Sequence, residues 1–213
     1  MNAAVFQREG EGFGSWVRDT CHAAFRCQNL LAPDEARESL SYISEHGFNN
    51  GVDCAAMPAI AAWDHYITTG DIQLLYEMLP GIIKYAEEAD ARYDEEMQLV
   101  HATMCLAQDA FEEPENGGYC LGTEIAFALM YQDVARICEV TGCYPERIKF
   151  WESRSKEMLA SIKEKYWNEE KECFTSGPIG SEAYEKGWWE TTGAEMVCGH
   201  DLVLQLRDRE ICF

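Results

Sequence analysis

The chain has 213 residues, 47% of them hydrophobic, enough to bury a sizeable core in one domain or at most two. It carries 17 Lys and Arg against 38 Asp and Glu, a net charge of -21. That field repels a nucleic-acid backbone and anionic membrane surfaces, while neutral polar ligands such as sugars are indifferent to it.

Taken in chain order, apolar positions recur mainly at helical spacing. Trp16, Ala23, Ala24, Phe25, Leu30 and Leu31 mark a helix over 15–31. Pro33-Asp34-Glu35 has the composition of a helix start, and that helix runs to about His46 before Gly47. Asn49-Asn50-Gly51 is a loop. A helix over 53–69 ends at Gly70, and Asp71 caps the next one, which continues past Pro80 to about Asp94. Leu99-Val100-His101-Ala102 is a short strand ahead of a polar stretch at 107–120. Helices follow over 121–141, closed by Gly142, and over 145–167, opened by Pro145. Cys173-Phe174-Thr175 is a second short strand, within a loop or hairpin over 168–187. The fold class is all-α, with antiparallel helices joined alternately by short and long connections. No repeat is strict at residue level, but helix pairs echo one another, each closing on a glycine.

No basic and apolar leader opens the chain, and no run reaches the length of a membrane span. The 10 cysteines form no Cys-x-x-Cys pair and no zinc-type cluster. Cys105 and Cys138 sit among apolar residues, so buried free thiols in a reducing, cytoplasmic compartment are expected. His22, His46, His65 and His101 are scattered and read as packing or surface residues. Phosphate loops, dinucleotide fingerprints and helical His-Glu-x-x-His motifs are absent from the sequence.

Three constellations carry chemistry. Trp16-Val17-Arg18-Asp19-Thr20 places an indole beside an Arg–Asp pair. An aromatic face stacks on the C–H face of a sugar, and the charged pair bonds vicinal hydroxyls; the same pair also serves as an ordinary surface or cap pair. Gln108-Asp109-Ala110-Phe111-Glu112-Glu113-Pro114 gathers three carboxylates after an apolar run. Glycoside hydrolysis needs one carboxyl held protonated and another opposite it, and partial burial raises the pKa of such a group. Asp109 and Glu112 are the candidate catalytic residues, against the alternative of an exposed acidic loop. Gly187-Trp188-Trp189-Glu190 sets tandem indoles beside glycine, with Trp188 as a sugar platform and Glu190 as a hydroxyl ligand. Asp53 bonds a ligand hydroxyl or simply caps its helix.

The order of these elements resembles the six-hairpin, (α/α)6-barrel glycosidases. The likeness rests on Gly14-Ser15-Trp16-Val17-Arg18-Asp19-Thr20, on Asn50-Gly51-Val52-Asp53 through Thr69-Gly70-Asp71, and on Leu79-Pro80. It continues with Asp109 ahead of Thr123-Glu124, and with Tyr166-Trp167 leading to Gly187-Trp188-Trp189-Glu190. It covers roughly residues 10–196 and spans amylo-glucosidase-like, rhamnosidase-like and mannosidase-like relatives. The resemblance implies an acid/base hydrolase of oligosaccharides, inverting, with no metal or organic cofactor. It assigns sugar binding to Arg18, Asp19 and Trp188 and places the acid at Asp109, beside Trp16, Asp53 and Glu190, which the residues alone suggest as substrate contacts.

A closed toroid of this kind needs on the order of 300 residues or more. Residues 1–213 therefore read as one partial catalytic domain, an incomplete (α/α)6 toroid whose general base lies in later hairpins. Stretch 197–213 reads as a non-native tail. One set of codons permitted for Met196–Gln205, in another frame, gives a tryptophan and a Phe-Gly-Ile-Ala run like the family's continuation, as truncation or a frameshift predicts. The isolated chain is expected to be inactive and to self-associate through bare apolar helix faces. Two rival readings are a helical-repeat binding module without catalysis, which the uneven loops disfavour, and an isoprenoid cyclase barrel, which lacks its Asp-Asp-x-x-Asp motif here.

Overall fold

The computed structural model describes residues 17–46, 56–102, 118–175 and 177–181. The described fold is all-α, with seven α-helices and two small β-hairpins. The first run begins as α1 (Val17–Ala23), widens through a π-turn at Ala24–Gln28 and ends as α2 (Asn29–Leu31). The plain helix expected over 15–31 is thus interrupted. The Asn29 N–H bonds the Ala24 carbonyl five residues back, so the π-turn inserts one extra residue and rotates everything after it. The rotation leaves Asn29 buried, with Leu30 and Leu31 75% and 78% exposed.

Pro33 opens α3 (Pro33–His46), with Asp34 and Glu35 in its first turn where the helix dipole favours acids. α4 (Met57–Thr69) ends at Gly70, whose φ of 77° is the left-handed conformation glycine adopts without cost. Asp71 then caps α5 (Ile72–Asp90), its Oδ1 accepting from the Gln73 and Leu74 N–H groups at 3.1 and 3.2 Å. Pro80 lies exposed inside α5 without ending it. α6 (Leu121–Thr141) closes on Gly142. Pro145 opens a 3-10 turn, so α7 (Ile148–Lys165) starts three residues later than its proline implies. β1 (Tyr93–Asp94) pairs antiparallel with β2 (Leu99–Val100), and β3 (Trp167–Asn168) with β4 (Cys173–Phe174).

These helices form two layers. α1, α4 and α6 stand side by side as an inner row, and α3, α5 and α7 return outside them. The layering follows from side-chain distribution. In α4 every residue from Met57 to Ala62 is buried, and α6 is buried on nearly all sides, as suits an inner helix. α3 buries only one stripe, Ala36, Ser39, Leu40 and Ile43. Between the layers Tyr131 of α6 stacks on Trp151 of α7, with ring centroids 5.4 Å apart. Arginines lace the outer row. Arg37 of α3 reaches Asp71, the cap of α5, and Glu77 within it, while Arg147, just ahead of α7, and Arg154 of α7 reach Glu87 and Asp90 of α5. The arc resembles part of an α/α barrel.

The alternation of connections gives the arc two different ends. The short turns at Ala32, Gly70 and Gly142 share one, here the turn end. At the opposite mouth end lie the start of α1, both β-hairpins and the start of α6. Among the described residues, Leu30, Leu31, Ile67, Ile72, Tyr76 and Tyr144 are exposed near the turns, and Ile179 near the mouth. Cys21 and Cys138 are buried free thiols, as expected. Cys120 corrects that expectation, because it is disulfide-bonded; a search for Cys-x-x-Cys spacing is blind to pairs formed by the fold. Among the described residues no helix is long and apolar enough to cross a membrane.

Candidate active site at the mouth of the arc

Both hairpins are built in the same way. Asp94 Oδ1 accepts from the Glu96 and Met97 N–H groups at 2.9 Å, and Asn168 Oδ1 accepts from Glu170 and Lys171 at 3.0 Å. Each loop ends on a residue at φ 54°, Gln98 in one and Glu172 in the other. Tyr93-Asp94-Glu95-Glu96 answers Trp167-Asn168-Glu169-Glu170. The turns before them match as well. Thr69 and Thr141 each donate Oγ1–H to the carbonyl four residues back at 2.7 Å, and a left-handed glycine follows each. The α4–α5–hairpin and α6–α7–hairpin units are two copies of one supersecondary element. The echo of helix pairs closing on glycine in the sequence is this repeat, of which the turn and hairpin residues are the parts kept.

This repeat bears on where the chemistry begins. Ala102 and Gly118 exchange both backbone hydrogen bonds, 3.1 and 2.8 Å, and so close the neck of segment 103–117 just after the first hairpin. After the second hairpin Thr175 bonds back to the Tyr166 carbonyl, and the chain continues beyond 181. The acidic segment and the tandem-indole segment therefore leave the fold at corresponding points of adjacent units.

Beneath the neck stands a buried acid that the sequence reading did not single out. Glu124, in the first turn of α6, is fully buried. Its Oε2 accepts from the Val100 N–H at 3.0 Å, and its Oε1 has no hydrogen-bond partner among the described residues. Burial drives its pKa well above the usual carboxylate range, opposed by the Val100 N–H. The signal available in the sequence was an acid set against Ile125, Ala126 and Phe127 in an apolar helix. Tyr166 donates to the Tyr119 carbonyl at 3.0 Å, and Tyr119 donates to Asp94 Oδ2 at 2.8 Å. The Met97 N–H and the Tyr119 hydroxyl hold Asp94 below its ordinary range. The neck is thus tied to β1, β2, α6 and the end of α7.

Arg18 and Asp19 open α1 at the same end. The Arg18 side chain is buried, while Asp19 faces solvent, and Arg18 Nε lies 3.6 Å from Asp19 Oδ1. This is a charge contact longer than a hydrogen bond. Trp16, Asp53, Asp109, Glu112, Trp188 and Glu190 lie outside the described residues.

His65 is the packing histidine that was expected, at the turn end. It is 2% exposed and its Nδ1 is 3.0 Å from Asn29 Oδ1. Asn29 Nδ2 donates to Asp64 Oδ2 at 2.7 Å and to the Ala61 carbonyl at 3.3 Å, so its oxygen accepts from the His65 Nδ1–H. Burial lowers the His65 pKa, with Asp71 opposing. Among the described residues no group of three or more His, Cys, Asp or Glu is placed to hold a metal ion.

No family model matches the sequence, and neither does any curated protein. Among solved structures, a GH78-family rhamnosidase of Bacillus sp. GL1 is similar, with a TM-score of 0.59 at 12% identity. The likeness covers 76% of this chain and 18% of that one, so the chain spans only a small part of that protein's length. At this identity the comparison speaks to architecture: the chain has a glycoside-hydrolase-like helical fold, resembling part of an α/α barrel.

Proposed function

We propose that this chain forms one wall of the sugar-binding mouth of a glycoside hydrolase. The observation that carries the reading is convergence at one end. Arg18 and Asp19, both hairpins and the origins of the acidic and indole segments share the mouth of an arc similar in fold to a rhamnosidase. Arg18 offers a fork of N–H donors and Asp19 an acceptor pair, the complement of vicinal hydroxyls. Trp16 and Trp188 stack on the ring, and Asp53 and Glu190 bond its remaining hydroxyls. Asp109, with Glu112 beside it, protonates the leaving oxygen. A base across the ring activates water, and the outcome is inversion with the two carboxyls about 6.5–9.5 Å apart. That base lies outside this chain, so the isolated protein binds a glycoside without turning it over.

A glycan array followed by calorimetric titration tests the reading, with rhamnosides as the first ligands. Asp19→Ala or Trp188→Ala is expected to weaken sugar binding at least tenfold while the far-ultraviolet circular dichroism stays unchanged. Binding to peptides alone, or sugar binding indifferent to both substitutions, refutes the assignment. Vigorous turnover of aryl glycosides by the pure chain refutes the missing base.

A further inference from the structure

We propose that this mouth selects its glycosides by charge: it takes neutral and amino sugars and refuses sugars that carry a carboxylate or a sulfate. The proposal rests on the reading of this end as a sugar-binding wall and adds the class of sugar to it. An arginine at a sugar site is the ordinary partner of an acidic sugar's carboxylate, through its planar fork of donors. Here the Arg18 side chain is 7% exposed and its Nε lies 3.6 Å from Asp19, whose side chain is 56% exposed. A ligand arriving at the pair therefore meets the carboxylate of Asp19, and the guanidinium behind it already faces an acid. Asp19 accepts from a hydroxyl or an ammonium group, and it repels a second anion.

The hairpins at the same end carry the same sign. Asp94, Glu95 and Glu96 stand against Arg92 in the first, and Glu169, Glu170 and Glu172 stand against Lys171 in the second. Asp94 is half-buried and the other five acids are exposed. Each copy of the repeat thus sets a Glu-Glu pair on a hairpin tip, and the side chain of Asp94 or Asn168 holds that tip through backbone N–H groups. Arg154, which reaches the first hairpin, is held by Asp90, Glu95 and Glu157. The two hairpins and the exposed member of the Arg18–Asp19 pair therefore present carboxylates to the mouth.

Screening decides how far these charges reach. At ~0.01 M salt the Debye length is about 30 Å, so the whole acidic end acts on a ligand, with the net charge of -21 behind it. At ~1 M salt it is about 3 Å, and only groups in contact still interact. A surface of one sign lowers the local concentration of like-charged solutes and raises that of opposite charge, by about tenfold or more at low salt. A neutral sugar feels none of this. Charge therefore separates ligands that share a ring and its hydroxyls, and salt removes the separation.

The test is the full chain on a glycan array of neutral, amino, uronate-bearing and sulfated glycans, read at ~0.01 M and ~1 M salt. At low salt the acidic glycans are expected to bind about tenfold more weakly than the neutral ones, and the gap closes as salt rises. Neutral glycans are expected to hold within about twofold, while amino glycans lose about fivefold. Two variants locate the selector. Glu96→Lys with Glu170→Lys changes side chains that take no part in holding the hairpin tips. It is expected to leave neutral binding within about twofold and to narrow the gap about fivefold at low salt. Asp19→Asn keeps an acceptor and drops the charge, so its ratio of acidic to neutral binding rises about tenfold. Circular dichroism melts report whether each variant folds, and the salt series on the wild-type chain stands without them. Acidic glycans among the strongest binders at low salt overturn the proposal, as does a gap that ignores salt. A gap that ignores both charge variants, once they are shown to fold, overturns it as well. An array on which no glycan binds takes down the sugar-binding wall itself and the charge selection with it.

Discussion

The two ends of the arc hold their buried ionisable groups differently. At the turn end, Asn29 ties Asp64, the Ala61 carbonyl and His65 together, and Asp71 gathers two backbone N–H groups and Arg37. At the mouth, Glu124 lies fully buried, with Oε1 unpartnered among the described residues, below the Ala102–Gly118 neck. A satisfied buried network fixes one arrangement of helices, whereas an incompletely satisfied group costs stability and is held there by its surroundings. The turn end is where the arc is fastened. The mouth holds the buried carboxyl of Glu124, below the Ala102–Gly118 neck.

The largest effect that tests this contrast belongs to Asn29→Leu. The substitution takes the partner from His65 Nδ1 and a donor from Asp64. Leaving buried polar groups unpaired costs about 2–3 kcal/mol here, read as a lowered urea midpoint. Tyr119→Phe at the mouth removes one half-buried hydrogen bond, to Asp94, and is expected to cost about 0.5–1.5 kcal/mol. Equal losses from the two substitutions would erase the distinction between the ends.

The turn end was also the legible end. Gly70, Asp71, Gly142 and Pro145 each announce their role locally, through a left-handed φ, a side-chain cap or a fixed φ. The helix bounds 121–141 and the two short strands followed from the same kind of signal. The π-turn at Ala24–Gln28 was hidden because an inserted residue keeps the apolar spacing on either side of it. At the mouth the pairings are long-range. Val100 with Glu124, Tyr119 with Tyr166 and Ala102 with Gly118 join residues 16 to 47 positions apart, and no local pattern encodes them. Arg18 and Asp19 were legible as a pair, but not their divergence, one buried and one exposed.

The repeat gives a second, smaller test. Asp71 and Cys143 follow equivalent Thr-Gly turns, yet only Asp71 caps a helix and bonds an arginine. Asp71→Ala is expected to cost about 1–2 kcal/mol, from the lost cap and its tie to α3. Cys143→Ala is expected to change stability by less than about 0.5 kcal/mol. Thermal melts of the two variants side by side check both values. A cysteine substitution as harmful as the aspartate one would mean that the second turn depends on a contact of the Cys143 side chain.

The subtlest test is pH, because the two ends titrate with opposite sign. Burial lowers the His65 pKa, so folding favours the neutral ring; its contribution is present above the unfolded value of about 6.5 and is lost as pH falls. Burial raises the Glu124 pKa, so folding favours the protonated acid. That contribution is complete below the unfolded value of about 4.3 and is lost as pH rises toward the folded value. Glu124→Gln keeps the shape and an acceptor for the Val100 N–H, and it never ionises. The variant is therefore expected to gain on the wild type as pH rises from about 5, with a slope of at most about 1.4 kcal/mol per pH unit, the limit for one proton. Urea midpoints of both proteins across that range give the difference directly. A difference that stays flat with pH means that Glu124 ionises equally in the folded and unfolded chains, and the mouth then holds no protonated acid below its neck.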